Sequence, residues 1–411
     1  MKADLDLLMQ SSGIDALLVT GPSLHNPAMV YFTGLAHVSQ ADLVKRRSHP
    51  GLLFHAAMER DEAAKSGLEL CSYSNYPIMD LLKESGNNRT KAIVLRYQRM
   101  LADAGITSGR IALYGQTDLG KGYAQFKNLQ DATPAIEFLG DLDNDVLMEA
   151  MSTKDAEEIG RIRQMGKVTT RVVGSVADFL SSRPVKNGAL VGLDGDPLTI
   201  GEVKSRINLW LAEGGAENPE STIFAIGHDA GVPHSAGNPQ DVLRLGQTIV
   251  FDIYPCEAGG GYFYDFTRTW CLGYAPDEAQ ALYDQVLAVY QQIISELKAN
   301  APFKDYQRRA CELFEAQGHP TVMTNPQTEV GYVHSVGHGV GLHIHERPFS
   351  GTMAPDSDIL SPGSVITIEP GLYYPERGLG MRLEDTVYVR PDGTFEIPAE
   401  YPLDLVLPVG R

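Results

Sequence analysis

The sequence predicts an α/β chain of two domains, and three observations carry that prediction. Its 411 residues exceed what a single hydrophobic core usually serves. Short apolar strands alternate with helical stretches through residues 1–150, the pattern of an α/β layer domain. Beyond residue 151 the mix changes to α+β, in which pairs of helical stretches precede hairpins that carry acidic residues. The expected domains are therefore 1–150 and 151–411.

In the first domain Ala16-Leu17-Leu18-Val19, Gly51-Leu52-Leu53-Phe54 and Ile111-Ala112-Leu113-Tyr114 read as strands, and no motif there points to chemistry. Ser152-Thr153-Lys154-Asp155 has the form of a capping box and opens a long helix with apolar positions Ile159, Ile162, Met165, Val168, Val172, Val176 and Phe179. A polar stretch around Pro184 and 188–197 ends it. A second helix is expected near 201–214, then a strand over 221–227. Pro276 starts a helix carrying Leu282, Val286, Val289, Ile293 and Leu297, and another runs from about Phe303 to Gly318. Each half of the second domain thus has two helices followed by an acidic hairpin, which implies an internal pseudo-duplication.

The first hairpin joins Val250-Phe251-Asp252-Ile253-Tyr254 to 262–270 through Glu257-Ala258-Gly259-Gly260-Gly261. A tip at Ala258-Gly259 would set Asp252 directly opposite Asp265, on one face, at about 4.5 to 5.5 Å between Cβ atoms. The second joins Val365-Ile366-Thr367-Ile368-Glu369 to 380–387 through Pro375-Glu376-Arg377-Gly378, and a tip at Glu376-Arg377 would set Glu369 opposite Glu384. A glycine-rich run, 334–346, adds His338 at a point where the backbone can pass close to a site. Taken alone, a histidine in such a run is more often a loop or core residue than a ligand. Together Asp252, Asp265, His338, Glu369 and Glu384 make a carboxylate-rich donor set with one imidazole, suited to Mn²⁺, Co²⁺, Fe²⁺ or Zn²⁺. A pair of such ions activates water and polarises a carbonyl, as metallo-hydrolases require.

Composition narrows the classes further. Hydrophobic residues make up 43% and charged residues 21%, ordinary for a soluble globular protein. The formal net charge of −18 repels phosphate backbones and anionic lipid, so neither nucleic acid nor a membrane surface is an expected partner. Acidic residues within Met1-Lys2-Ala3-Asp4-Leu5-Asp6 interrupt the apolar stretch a secretory signal needs, and no run of about 18 apolar residues suggests a membrane span. Cys71, Cys256, Cys271 and Cys311 lack metal-type spacing and read as free thiols of a reducing compartment, so a cytoplasmic location is expected.

The ordered string Phe251-Asp252, Asp265-Phe266-Thr267-Arg268-Thr269, Gly337-His338-Gly339-Val340-Gly341, Ile368-Glu369-Pro370-Gly371 and Arg382-Leu383-Glu384-Asp385 resembles the creatinase, prolidase and aminopeptidase P family of pita-bread metallopeptidases. The match is strong over residues 153–411 and weaker before them, where Tyr31-Phe32-Thr33-Gly34 looks like that family's short strand-and-turn signature. The two aspartates are thirteen residues apart, two more than is common in the family, which reads as a longer hairpin tip of the same parity.

The resemblance implies a creatinase-like amino-terminal domain and a pita-bread catalytic domain. It also implies two divalent ions per subunit, Mn²⁺ first among them, with Asp252 on one ion, His338 and Glu369 on the other, and Asp265 and Glu384 bridging. Family substrates have proline after the scissile bond, so hydrolysis of amino-terminal Xaa-Pro bonds in peptides or dipeptides is expected. Glu369 would accept the proton of the attacking water and His345 would stabilise the oxyanion. His234 matches a histidine of the substrate cleft, His334 one near the metals, and Arg382 an arginine that supports the acidic centre or contacts substrate. Tyr373 and Tyr374 read as packing residues. Dipeptide-preferring relatives often carry an arginine clamp four residues after the position of His345. Here Phe349 stands at that position and Arg347 is the nearest substitute. The resemblance further implies a homodimer. Two rival readings remain: a fold relative acting on a non-peptide small molecule, as an amide hydrolase or carbon–sulfur lyase, and a non-catalytic binding module.

Overall fold

The computed structural model describes residues 4–140, 146–192 and 194–410. The first three residues of the stretch read for a secretory signal lie outside the described residues. The chain forms two compact units, Met1–Met151 with Gly259–Gly261 and Ser152–Ala258 with Tyr262–Arg411. No helix among the described residues is long and apolar enough to cross a membrane.

The first unit is built on a six-stranded sheet in the order Glu69–Ser72, Gly51–His55, Ala41–Arg46, Ala16–Gly21, Gly109–Gly115, Ile136–Leu139. Ala16–Gly21 is buried throughout, antiparallel to Ala41–Arg46 and parallel to Gly109–Gly115, as a near-continuous apolar run at the centre of a covered sheet should be. The helix Arg89–Asp103 turns Ala92, Tyr97, Met100 and Leu101 into a core shared with Leu18, Val44, Phe54 and Ile111. Tyr31-Phe32-Thr33-Gly34 is not a strand and turn. It ends the helix Pro27–Thr33, which Pro27 opens at the first turn and Gly34 closes at φ +61.

The second unit opens with the helix Ala156–Ser181. Its cap is Asp155 rather than Ser152: the Asp155 carboxylate accepts from the Glu157 and Glu158 N–H groups, and Glu158 reaches back to the Asp155 N–H. Helix Ile200–Glu213 follows with a second capping box, Thr199 and Glu202. Three strands come next, Ile223–Ile226, Thr248–Ile253 and Phe266–Leu272. The pattern then recurs as helices Asp277–Glu296 and Lys304–Ala316 followed by strands His338–Gly339, Glu346–Phe349, Val365–Ile368 and Glu384–Val389.

These strands share one sheet in the order Ile223–Ile226, Thr248–Ile253, Phe266–Leu272, Glu384–Val389, Val365–Ile368, His338–Gly339, Glu346–Phe349. The first half runs from an edge to the centre, and the second half, which begins one strand in from the opposite edge and turns back at Glu346–Phe349, runs inward to meet it. That reversal is the internal pseudo-twofold of the pita-bread fold. Phe266–Leu272 and Glu384–Val389 pair at the junction, and both are buried along their whole length. The second pair of helices covers one face with a core that includes Val286, Ile293, Phe314, Ile366 and Val387.

Candidate metal centre

Strand register brings the acidic residues together. Asp252 lies opposite Thr267, and Thr267 lies opposite Glu384. Across the next strand Ile368 lies opposite Asp385, so one step on, Glu369 meets Glu384. Two residues along, Thr367 lies opposite Thr386, whose hydroxyl accepts the Asp265 N–H at 3.2 Å and donates to the Asp265 carbonyl at 2.8 Å. The Thr367 hydroxyl accepts the His338 N–H at 3.1 Å. Because side chains alternate with period two, both rows project from the same face. One row holds Asp252, Glu384 and Glu369, and the other holds Asp265 and His338.

The second hairpin has the expected register, fixed by Pro375 and by Gly378 in the left-handed region. The first does not. Asp252 faces Thr267 rather than Asp265, because Gly259 and Gly260, both at positive φ, form a tip one residue later than Ala258-Gly259. A tip moved by one residue moves the partner by two, so Asp265 becomes a diagonal neighbour on the same face.

The side chains form a tight buried cluster. Donor atoms of Asp265, His338 and Glu384 lie within 4.8 Å of one another. His338 donates from Nδ1 to the Gly339 carbonyl at 2.9 Å, which turns its Nε2 lone pair toward Asp265 at 3.6 Å and Glu369 at 3.4 Å. The Thr267 hydroxyl donates to Glu384 at 2.7 Å. Arg382 anchors Asp252 through Oδ2, while Asp252 Oδ1 is buried without a hydrogen-bond partner.

Electrostatics say what such a cluster wants. Burial, then the neighbouring carboxylates, pushes the Asp265 and Glu384 carboxyls well above their ordinary range. Burial pushes Glu369 up to about 8, with Asp252 adding to the effect and Arg382 opposing it. Burial, with His345 beside it, holds the His338 imidazole down to about 3. Carboxylates that hold protons and an imidazole that refuses one describe a site short of positive charge. The unpartnered Asp252 oxygen and the hard, oxygen-rich donor set fit divalent cations.

The cluster forms the floor of a cavity of about 430 Å³ whose walls include Glu220, Ile223, His234, Tyr254, Ile344, His345 and Phe349. His234, His334 and His345 thus all reach it, and the His345 ring lies 4.3 Å from that of His338. Burial and the nearby Arg382 guanidinium hold His334 down to about 3, so it is neutral. Its Nε2 bonds the Tyr373 hydroxyl at 2.9 Å and its Nδ1 the Ser335 carbonyl at 2.7 Å.

One sequence-based assignment narrows and two change. Arg382 lines the cavity, but its guanidinium is engaged by Asp252, the Tyr373 hydroxyl at 2.7 Å, the Pro233 carbonyl at 3.1 Å and Thr267, so it braces the acidic centre instead of offering itself to substrate. Tyr373 is not a packing residue, since its hydroxyl links Arg382 to His334. Arg347 does not reach the cavity. Its guanidinium pairs with buried Asp358 and bonds Ser357.

A second device escaped sequence reading. Lys154, just before the long helix, forms an ion pair with Glu346, and both side chains are fully buried. Glu346 also accepts the His343 N–H at 3.3 Å, and a Cβ on Gly341 would sit only 2.2 Å from its carboxylate. It therefore pins the turn that carries Ile344 and His345 into the cavity. Lys154→Met leaves a buried charge unpaired and is expected to cost about 3 to 5 kcal/mol. A urea midpoint unchanged from wild type would contradict that role.

Comparison with known proteins decides the family. The model of metallopeptidase family M24 matches residues 160–391, and that of the creatinase/prolidase N-terminal domain matches residues 3–139. The chain belongs to metallopeptidase family M24. Among curated relatives of this M24 chain, the Xaa-Pro dipeptidase of Pyrococcus furiosus is 28% identical over 272 residues, covering 66% of this chain and 69% of that one. The Xaa-Pro dipeptidase of Pyrococcus horikoshii is 30% identical over 194 residues, 47% of this chain and 51% of that one. Among solved structures, a prolidase from Pyrococcus horikoshii superposes with a TM-score of 0.72 at 20% identity, covering 98% of each chain. An X-Pro aminopeptidase from Thermotoga maritima does so with 0.73 at 22%, covering 97% of this chain and 99% of that one. At these identities the superpositions speak for the fold alone, which the M24 chain shares over nearly its whole length.

Proposed function

We propose that this M24 chain hydrolyses the amino-terminal Xaa-Pro bond of short peptides with two divalent ions per subunit, Mn²⁺ foremost. The observation that carries this is the placement of five donor residues on two adjacent rows of one sheet face, at the floor of a cavity, with a buried carboxylate oxygen left unpartnered. Asp252, Asp265, His338, Glu369 and Glu384 would hold the ions. Bound there, divalent ions supply a nucleophilic water at neutral pH and polarise the scissile carbonyl.

The protein's own residues do the rest. Glu369 takes up the proton released by the attacking water, and His345 and His234 face the carbonyl and the peptide from the cavity wall. His334 and Tyr373 support this end of the site, the first at 3.7 Å from Glu369. Ile223, Ile344 and Phe349 give the wall apolar surface suited to a pyrrolidine ring. The relatives named Xaa-Pro dipeptidase support the choice of substrate. Assay of metal-loaded protein on matched Xaa-Pro and Xaa-Ala peptides tests it: cleavage confined to the proline series is expected, and cleavage of neither series would overturn the reading.

Chain-length preference follows from the same wall. Arg382 is the only arginine or lysine among the described residues that line the cavity, and it is engaged by Asp252 and Tyr373. With Arg347 held by Asp358, no lysine or arginine among the described residues of the wall is left to clamp a dipeptide's carboxylate. An Xaa-Pro dipeptide and its one-residue extension should therefore be cleaved with kcat/KM values within about tenfold, or roughly 1.4 kcal/mol. A larger dipeptide preference, abolished by Arg347→Ala, would show that Arg347 leaves Asp358 to act as the clamp.

A further inference from the structure

One carboxylate of the cavity wall is left without a role once the ligands are assigned. Asp252, Asp265, Glu369 and Glu384 face the ions, and Arg382 is spent on Asp252, Tyr373 and the Pro233 carbonyl. Glu220 belongs to neither group. It lines the same cavity, is exposed, and makes no hydrogen bond or ion pair among the described residues. It stands three residues before Ile223, the residue opposite Asp252 at the edge of the sheet.

Glu220 lines the same wall as His345 and Tyr254. Glu220 is thus an uncommitted, exposed carboxylate at the rim of the cavity. Among the described residues the wall offers no lysine, and its one arginine, Arg382, is engaged by Asp252.

What a substrate can present to that carboxylate follows from covalent geometry. The amino nitrogen of the first residue is two bonds from the scissile carbonyl carbon, so it must go to the buried floor with that carbonyl. A long side chain on the same residue radiates outward and reaches the rim. We propose that Glu220 gives the site a preference for a cationic side chain, lysine or arginine, on the residue that precedes the scissile bond. The inference rests on the Xaa-Pro reading and adds a substrate class to it. A rim-exposed ion pair is worth up to about 1 kcal/mol, so the preference should be about fivefold and should shrink with salt.

The test compares Arg-Pro-Ala with citrulline-Pro-Ala, which keeps the side-chain shape and removes the charge, on manganese-loaded enzyme at low and high ionic strength. Wild type should favour arginine in kcat/KM by about fivefold at low salt. Glu220→Gln should bring the ratio to about one and Glu220→Lys should invert it. Glu220 is exposed, so neither substitution disturbs a core. A wild-type ratio near one overturns the proposal. So does a ratio that survives in Glu220→Gln, even if both rates fall, because that would place Glu220 on the amino group common to all substrates. Failure of wild type to cleave either peptide would instead overturn the Xaa-Pro reading, and this inference with it.

Discussion

Glu384→Gln is expected to strip most of the bound metal and to lower kcat by at least about a hundredfold, the upper end of what losing even a supporting residue around a metal costs. Glu384 sits where the two halves of the sheet meet, opposite Thr267, with its carboxylate within 4.8 Å of both the Asp265 and His338 donors. Glutamine keeps the shape and the Thr267 contact but removes one charge from the face presented to the ions. The substitution should also relieve repulsion in metal-free protein, because Glu384 is pushed up by burial and by Asp265, Glu369 and Asp252. Metal-free Glu384→Gln should therefore be at least as stable as metal-free wild type at pH 8. Elemental analysis, turnover and calorimetry on the same preparations check all three points. Metal content equal to wild type would remove Glu384 from the ligand set.

Metal removal should also impose a pH dependence on stability. In metal-free protein Glu369 holds its proton up to about 8, against an ordinary value of 4.5 in the unfolded chain, and Asp265 and Glu384 are raised as well. Between those values these carboxyls bind more protons in the folded state than in the unfolded one, so their contribution to the unfolding free energy falls as pH rises. The stabilising effect of these carboxyls is complete below the ordinary carboxylate range and is lost as pH climbs through 8. Metal-loaded protein escapes this, since the ions replace the protons. The difference in Tm between loaded and metal-free protein should therefore widen from pH 5 to pH 8, by an amount on the order of several kcal/mol in stability. A difference that stays level or narrows would show that the carboxyls are not strained without metal.

Which parts of this were legible in sequence depends on how locally each feature is determined. The second hairpin was, because Pro375 and Gly378 leave a single tip and period-two alternation then sets Glu369 against Glu384. The first was legible only in its parity. Gly259-Gly260-Gly261 allows adjacent tips, and the structure uses the later one. Thr267 and Thr367, each two residues from a ligand on the same face, follow from that same alternation although they were not singled out.

Other features needed contacts that a linear reading does not supply. Tyr373 lies diagonally from Arg382 across the Gly371–Tyr374 hairpin strand, opposite Gly380, where no side chain blocks its hydroxyl. Arg347 looked available because Asp358, eleven residues on, carries no local sign of pairing with it. The chain between Gly341 and His345 is a series of bends rather than a strand, and of His343 and His345 only His345 reaches the cavity. Lys154 and Glu346 are 192 residues apart, beyond any periodicity. At Tyr31-Phe32 the family resemblance suggested a strand and turn, but Pro27 starts a helix that runs through Thr33.

Titration of metal-stripped protein with Mn²⁺, following bound metal and Xaa-Pro hydrolysis together, tests the proposed chemistry most directly. No hydrolysis is expected without metal, with activity rising to a plateau as bound Mn²⁺ reaches about two ions per chain. Full turnover in protein shown by elemental analysis to be free of metal would contradict metal-dependent hydrolysis at this site.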